Sequence, residues 1–194
     1  MPAAQSSLTS LPNLITWLRI LLIPLIVGIF YLPDSWMSEW GRNVTATSIF
    51  VFAALTDWLD GWLARKLNQM SAFGAFLDPV ADKLMVAGAL IVLLQLARVD
   101  PVVALVIIGR EIAVSALREW MAMVGQANSV AVATIGKLKT ASQMVAIPLL
   151  LYSEELFGLV DCQWLGTILI NIAAVLTVIS MLYYLRKAIP HASG

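Results

Sequence analysis

Four carboxylates stand close together in an otherwise apolar chain: Asp57, Asp60, Asp78 and Asp82, in the stretch DWLDGWLARKLNQMSAFGAFLDPVAD at positions 57–82. Asp57 and Asp60 are spaced i, i+3 and Asp78 and Asp82 i, i+4, so on helices each pair shares one face. Converging carboxylates repel one another and desolvation adds to the cost, which only protons or bound cations relieve. An all-oxygen ligand set favours hard ions such as Mg2+, Mn2+ or Ca2+ over zinc. Two divalent ions would balance four negative charges, and paired ions can clamp the attacking and leaving oxygens of phosphoryl transfer. Gly61, Ala64 and Gly74 leave room for a bulky group beside the acids, and Arg65 can fork onto a phosphate. These residue types together describe a pocket for a pyrophosphate-bearing substrate. Taken singly, Asp57 or Asp60 reads equally as a solvated helix-end carboxylate. Asp78 before Pro79 reads equally as an N-cap with proline at N1.

The elements that must position these acids are membrane-spanning helices. The chain is 60% hydrophobic and 12% charged with a mean hydropathy of +0.87, whereas soluble domains run about 45–50% apolar and about 25% charged. A bilayer core of ~30 Å needs roughly 20 apolar helical residues. Six stretches qualify: 13–32, 43–66, 77–97, 101–124, 134–152 and 164–187. The fold class expected is therefore an all-α polytopic membrane protein with six transmembrane helices in a single domain, 1–194. No basic residue precedes the first apolar run, which argues against a cleaved signal peptide. Acids and bases balance at twelve each, so net charge points to no nucleic-acid partner. Cys162 is the only cysteine and His191 the only histidine, which excludes an intramolecular disulfide and leaves buried chemistry to Asp, Glu, Lys and Arg.

Charge asymmetry orients the helices. The odd-numbered connections carry Arg42 and Arg98 as their only basic residues, against ten on the even side and at its helix ends. By the positive-inside rule both termini and the aspartate cluster face the cytoplasm. Arg19, about a turn and a half into the first helix, is expected to snorkel to the inner interface. Trp36, Trp40, Trp58, Trp62, Trp120 and Trp164 lie near helix ends and are expected to anchor them. Pro24 and Pro148 are expected to kink their helices.

The run Asp57-x2-Asp60-Gly61-x2-Ala64-Arg65-x8-Gly74-x3-Asp78-x3-Asp82 resembles the complete signature of the CDP-alcohol phosphotransferase family, eight fixed positions with no departure. That resemblance implies a six-helix membrane fold, a homodimer, and exchange of CMP on a CDP-linked lipid for an alcohol. It implies that Asp57, Asp60, Asp78 and Asp82 hold two divalent cations, Mg2+ or Mn2+, with Asp82 also the general base. Gly61, Ala64, Arg65 and Gly74 would line the CDP-lipid pocket.

Beyond the signature, Pro12 to Thr16, GREIAVSALREWMA at 109–122 and SVAVATIGKLKTASQMVA at 129–146 are similar to bacterial members of the family whose acceptor is glycerol 3-phosphate. The likeness runs from about residue 8 to 187 and implies CDP-diacylglycerol as donor and the bacterial cytoplasmic membrane as location. Arg110, Arg118, Lys137 and Lys139 crowd the inner ends of the fourth and fifth helices beyond what Glu111 and Glu119 neutralise. Such a surplus suits the phosphate of glycerol 3-phosphate; it also suits anchoring to anionic headgroups. Other acceptors (inositol phosphate, serine, phosphatidylglycerol) share the signature, and a divalent-cation transporter would use the acids while leaving the glycines unexplained.

Overall fold

The apolar runs fold as helices here, and the breaks between them coincide with recognisable stop and start signals. The computed structural model describes residues 11–67, 72–124 and 134–189. Among the described residues there are six helices: α1 Leu11–Ile29, α2 Glu39–Leu67, α3 Ala72–Gln95, α4 Pro101–Met123, α5 Thr134–Tyr152 and α6 Cys162–Ala188. One antiparallel pair of two-residue strands, β1 Glu155–Leu156 with β2 Val160–Asp161, forms a hairpin between α5 and α6. The architecture is all-α, as the apolar runs predict. The hairpin has no counterpart in that expectation, because two residues per strand leave no alternation to read.

Caps explain where helices begin. Asp100 accepts a bond from the Val102 amide at 2.8 Å, and Pro101, which has no amide hydrogen to leave unpaired, opens α4. Asp161 does the same for α6 through the Trp164 amide at 2.8 Å. At the other end of α5, Arg98 Nη1 donates to the carbonyls of Leu150 and Leu151 at 3.2 and 2.9 Å, satisfying terminal acceptors. Pro24, Pro79 and Pro148 all lie inside helices.

Pro79 corrects one expected boundary. α3 starts at Ala72, not 77, so Asp78 lies in the helix body and is not an N-cap. An internal proline forfeits a backbone bond and costs about 3 kcal/mol. Packing along Leu77, Ala81, Met85 and Ala89, all buried, offsets that cost.

The chain forms two units, Met1–Val92 and Leu93–Gly194. In the first, α1 packs against α2. The buried stripe of α1 runs Asn13, Thr16, Arg19, Ile26, Ile29, polar at one end and apolar at the other; that of α2 runs Asn43, Ala46, Phe50, Ala53. A Cβ on Gly88 of α3 would stand 2.9 Å from Ile23 Cγ2, so α1 and α3 approach closely there.

In the second unit, α6 packs against both α4 and α5. Its buried face is apolar over Ile170, Ala173 and Ala174, then turns polar at Thr177, Ser180 and Tyr184. Among the described residues Cys162–Arg186 is by itself long and apolar enough to cross a membrane, while Asn13–Ile29 is apolar but shorter.

Candidate active site

The first unit assembles the acids around α1. Arg19 has no exposed surface, and its Nη1 donates to Asp57 Oδ1 of α2 at 2.5 Å and to Asp82 Oδ1 of α3 at 2.7 Å. One turn earlier on α1, Thr16 Oγ1 donates to Asp78 Oδ1 at 2.7 Å. Three of the four signature aspartates are thus tied to one helix that lies outside the signature. Asp57 and Asp82 keep 36% and 49% of their side chains exposed, so the acids remain open to a ligand while the arginine is sealed beneath them.

This placement corrects the expectation that Arg19 snorkels to the interface. A guanidinium this far into a helix either extends to water or finds acids within reach. Two charge-assisted bonds to carboxylates from two other helices offset the cost of burying it. Thr16 and Arg19 are the contributors that motif reasoning passed over. The signal available was their three-residue spacing, which with Asn13 makes one polar stripe on an apolar helix.

Gly74 is buried near the start of α3. Asp60, Gly61, Ala64 and Arg65 stand on α2, and their side chains lie outside the described part of the structure. Among the described residues no three carboxylates converge on one point. The donor chemistry nonetheless fits a hard divalent ion: Asp57, Asp78 and Asp82 supply oxygen alone. The buried guanidinium between Asp57 and Asp82 shows that this spot demands positive charge. Arg19 offsets one of these three charges and leaves two.

The second unit holds the basic residues. Arg110 is buried at 8% exposure; its Nη2 donates to Ser180 Oγ at 3.0 Å, and its Nη1 lies 3.8 Å from Glu111 Oε2. Arg118 Nη2 donates to the Tyr184 hydroxyl at 3.0 Å. The cationic Cζ atoms of Arg110 and Arg118 lie 5.7 and 5.2 Å from the centroid of the same Tyr184 ring. Lys139 is buried and bonded to Glu111, whereas Lys137 is exposed. Three of the four bases gather: Arg110 and Arg118 share one aromatic ring, Lys139 joins Arg110 through Glu111 of α4, and Lys137 faces outward. Ser180 and Tyr184, four residues apart on α6, are further contributors that sequence reasoning missed, since their partners lie 70 and 66 residues away.

Comparison with known proteins identifies the family. A family model described as CDP-alcohol phosphatidyltransferase matches residues 9–179. A CDP-diacylglycerol–glycerol-3-phosphate 3-phosphatidyltransferase of Pseudomonas fluorescens is 52% identical over 189 residues, spanning 94% of this chain and 91% of that protein. Proteins of the same name from Salmonella choleraesuis (strain SC-B67) and Shigella flexneri serotype 5b (strain 8401) are 46% and 47% identical, each spanning 92% of this chain and 94% of the relative. The matched span holds both the aspartates and the α1 residues that bind them, and the chain belongs to the CDP-alcohol phosphatidyltransferase family.

Proposed function

We propose that this protein transfers the phosphatidyl group of CDP-diacylglycerol to sn-glycerol 3-phosphate, giving phosphatidylglycerol phosphate and CMP, in anionic phospholipid synthesis. The observation that carries this is near-half identity, over more than nine-tenths of both chains, to enzymes bearing that name. The site chemistry supports it: carboxylates suited to divalent ions in one unit, and two guanidiniums sharing a ring in the other.

In this reading Asp57, Asp60, Asp78 and Asp82 hold two divalent cations, Mg2+ or Mn2+, which supply charge neutralisation for the pyrophosphate. Gly61, Ala64, Arg65 and Gly74 line the CDP-lipid pocket. Asp82 takes the proton of the acceptor C1 hydroxyl. That oxygen bonds to the phosphorus bearing diacylglycerol as the anhydride bond to CMP breaks. Arg19 holds one oxygen of Asp82 and one of Asp57, which fixes both carboxylates before substrate arrives. Arg110, Arg118, Lys137 and Lys139 bind the phosphate of the acceptor.

The proposal places the chain as a single six-span domain in the bacterial cytoplasmic membrane, as a homodimer, with termini and active site cytoplasmic. The exposed Trp36, Trp40 and Trp164 suit interface anchoring. The deciding experiment supplies purified protein with CDP-diacylglycerol and, separately, glycerol 3-phosphate, serine, inositol phosphate and phosphatidylglycerol. CMP release is expected with glycerol 3-phosphate; release with serine and not with glycerol 3-phosphate would sink the assignment.

A further inference from the structure

Tyr184 is fully buried on α6, packed with Val114 and Met121 of α4 and Ala188 of its own helix. Val114 lies one turn from both Arg110 and Arg118, so the ring sits over the middle of a two-turn segment with an arginine at each end. Both guanidiniums reach back to it, at 5.7 and 5.2 Å from the ring centroid. An electron-rich ring face attracts a cation, so one tyrosine can hold two like charges that would otherwise separate. Its hydroxyl accepts from Arg118 at 3.0 Å, and Ser180, one turn earlier, accepts from Arg110 at 3.0 Å.

Charge at this place is unbalanced. Arg110, Arg118 and Lys139 bring three positive charges and Glu111, bonded to Lys139 and 3.8 Å from Arg110, returns one, leaving two. Two positive charges match a dianionic phosphate monoester. Arg110 also has a buried Nε with no hydrogen-bond partner among the described residues. Arg118 is exposed where Arg110 is buried, so the pair has an open side and a closed side.

We propose that Tyr184 is a positioning residue that holds Arg110 and Arg118 as a two-guanidinium clamp for the phosphate monoester of the acceptor alcohol. The proposal rests on the acceptor-site reading given above. Tyr184 itself touches no substrate; the ring spaces the two guanidiniums and the hydroxyl fixes the orientation of Arg118. Phosphate recognition by paired guanidiniums depends on that orientation, because the planar fork must meet two oxygens at once.

The test uses the full-length protein in detergent with CDP-diacylglycerol saturating, and compares Tyr184→Phe, Tyr184→Leu and Arg118→Gln. Loss of the hydroxyl should raise KM for glycerol 3-phosphate about fivefold, and loss of the ring about tenfold or more, on the scale of one charged hydrogen bond or one cation–π contact. KM for CDP-diacylglycerol should stay within about twofold, on the scale of an uninvolved contact. The inhibition constant of inorganic phosphate competing with glycerol 3-phosphate should weaken in parallel with that KM. A residue serving only to fold the helix bundle would lower active-enzyme yield without separating the two substrates. If Arg118→Gln raises the acceptor KM and both Tyr184 variants leave it unchanged, the positioning role is overturned while the acceptor site stands. If Arg118→Gln leaves the acceptor KM unchanged, the acceptor site itself is misplaced and the clamp falls with it. Should Tyr184→Leu fail to fold, Tyr184→Phe, which keeps the ring and its packing, decides: an unchanged KM overturns the proposal.

Discussion

A buried arginine between two aspartates is the feature on which the first unit turns. Arg19 has no exposed surface and binds carboxylates of α2 and α3, so its removal leaves two acids facing each other with their shared counter-charge gone. Arg19→Gln should destabilise the metal-free protein by about 1–3 kcal/mol, less than for a fully buried pair because both acids are partly exposed. It should also lower turnover roughly 10–100-fold, the usual effect of removing a partner that orients ligand carboxylates. Thermal denaturation with and without Mg2+ checks the electrostatic part: the variant should gain more from the ion than the parent does, because an ion then replaces the missing charge. Equal gains would detach Arg19 from ion binding. Asp57→Ala and Asp78→Ala should each reduce CMP release at least about 100-fold, on the scale of losing one transition-state contact, while the protein still elutes as folded material. Substantial residual activity would remove those residues from the metal set.

Packing between helices is set by residues too small to notice in a motif search. A Cβ at Gly166 of α6 would come within 2.7 Å of Leu150 Cγ and 3.2 Å of the Ala146 carbonyl on α5. Leu150 is fully buried and met at its branch point, and the backbone oxygen is fixed, so neither gives way cheaply. Gly166→Ala should therefore lower the melting temperature in detergent, corresponding to about 1–3 kcal/mol of overpacking. Gly109→Ala, on α4, meets nothing within 4 Å and serves as the control, with an expected neutral or slightly favourable effect from better helix propensity. A fall of equal size in both variants would show that the α5–α6 contact is not the cause. The same logic explains why α3 tolerates Pro79: small and apolar residues bury the helix on either side of the missing backbone bond.

At the scale of the whole molecule, acids and bases are equal in number, and the six-span proposal gives the bases a side. With ten of twelve basic residues on one side by sequence, the six-span proposal puts Arg186 in the cytoplasm and Glu155, in the hairpin, on the opposite face. In a Cys162→Ser background, Glu155→Cys should react in intact cells with a membrane-impermeant maleimide, and Arg186→Cys should react only after lysis. The reverse pattern would invert the topology. Such a background costs little in design because Cys162 is the single cysteine of the chain.

How much of this could be read from the order of residues alone depends on whether the information is local. Aspartate spacing, the run of six apolar stretches, the proline and aspartate stops at 100–101, and the asymmetry of basic residues are all properties of neighbours in the chain. They determined the all-α architecture and the family. Helix ends were less legible: α3 begins five residues earlier than its hydropathy suggests, because a helix can absorb an internal proline once its flanks are buried. What only the tertiary structure decided is which charges meet. Arg19 finds Asp57 and Asp82 across 38 and 63 residues, and Tyr184 finds Arg118 across 66. An arginine carries the same charge whether it reaches water or an acid, and a tyrosine in an apolar run looks like core. Chain order lists such groups, but their partners are chosen by the packing of helices, where burial makes an unmatched charge too costly to keep.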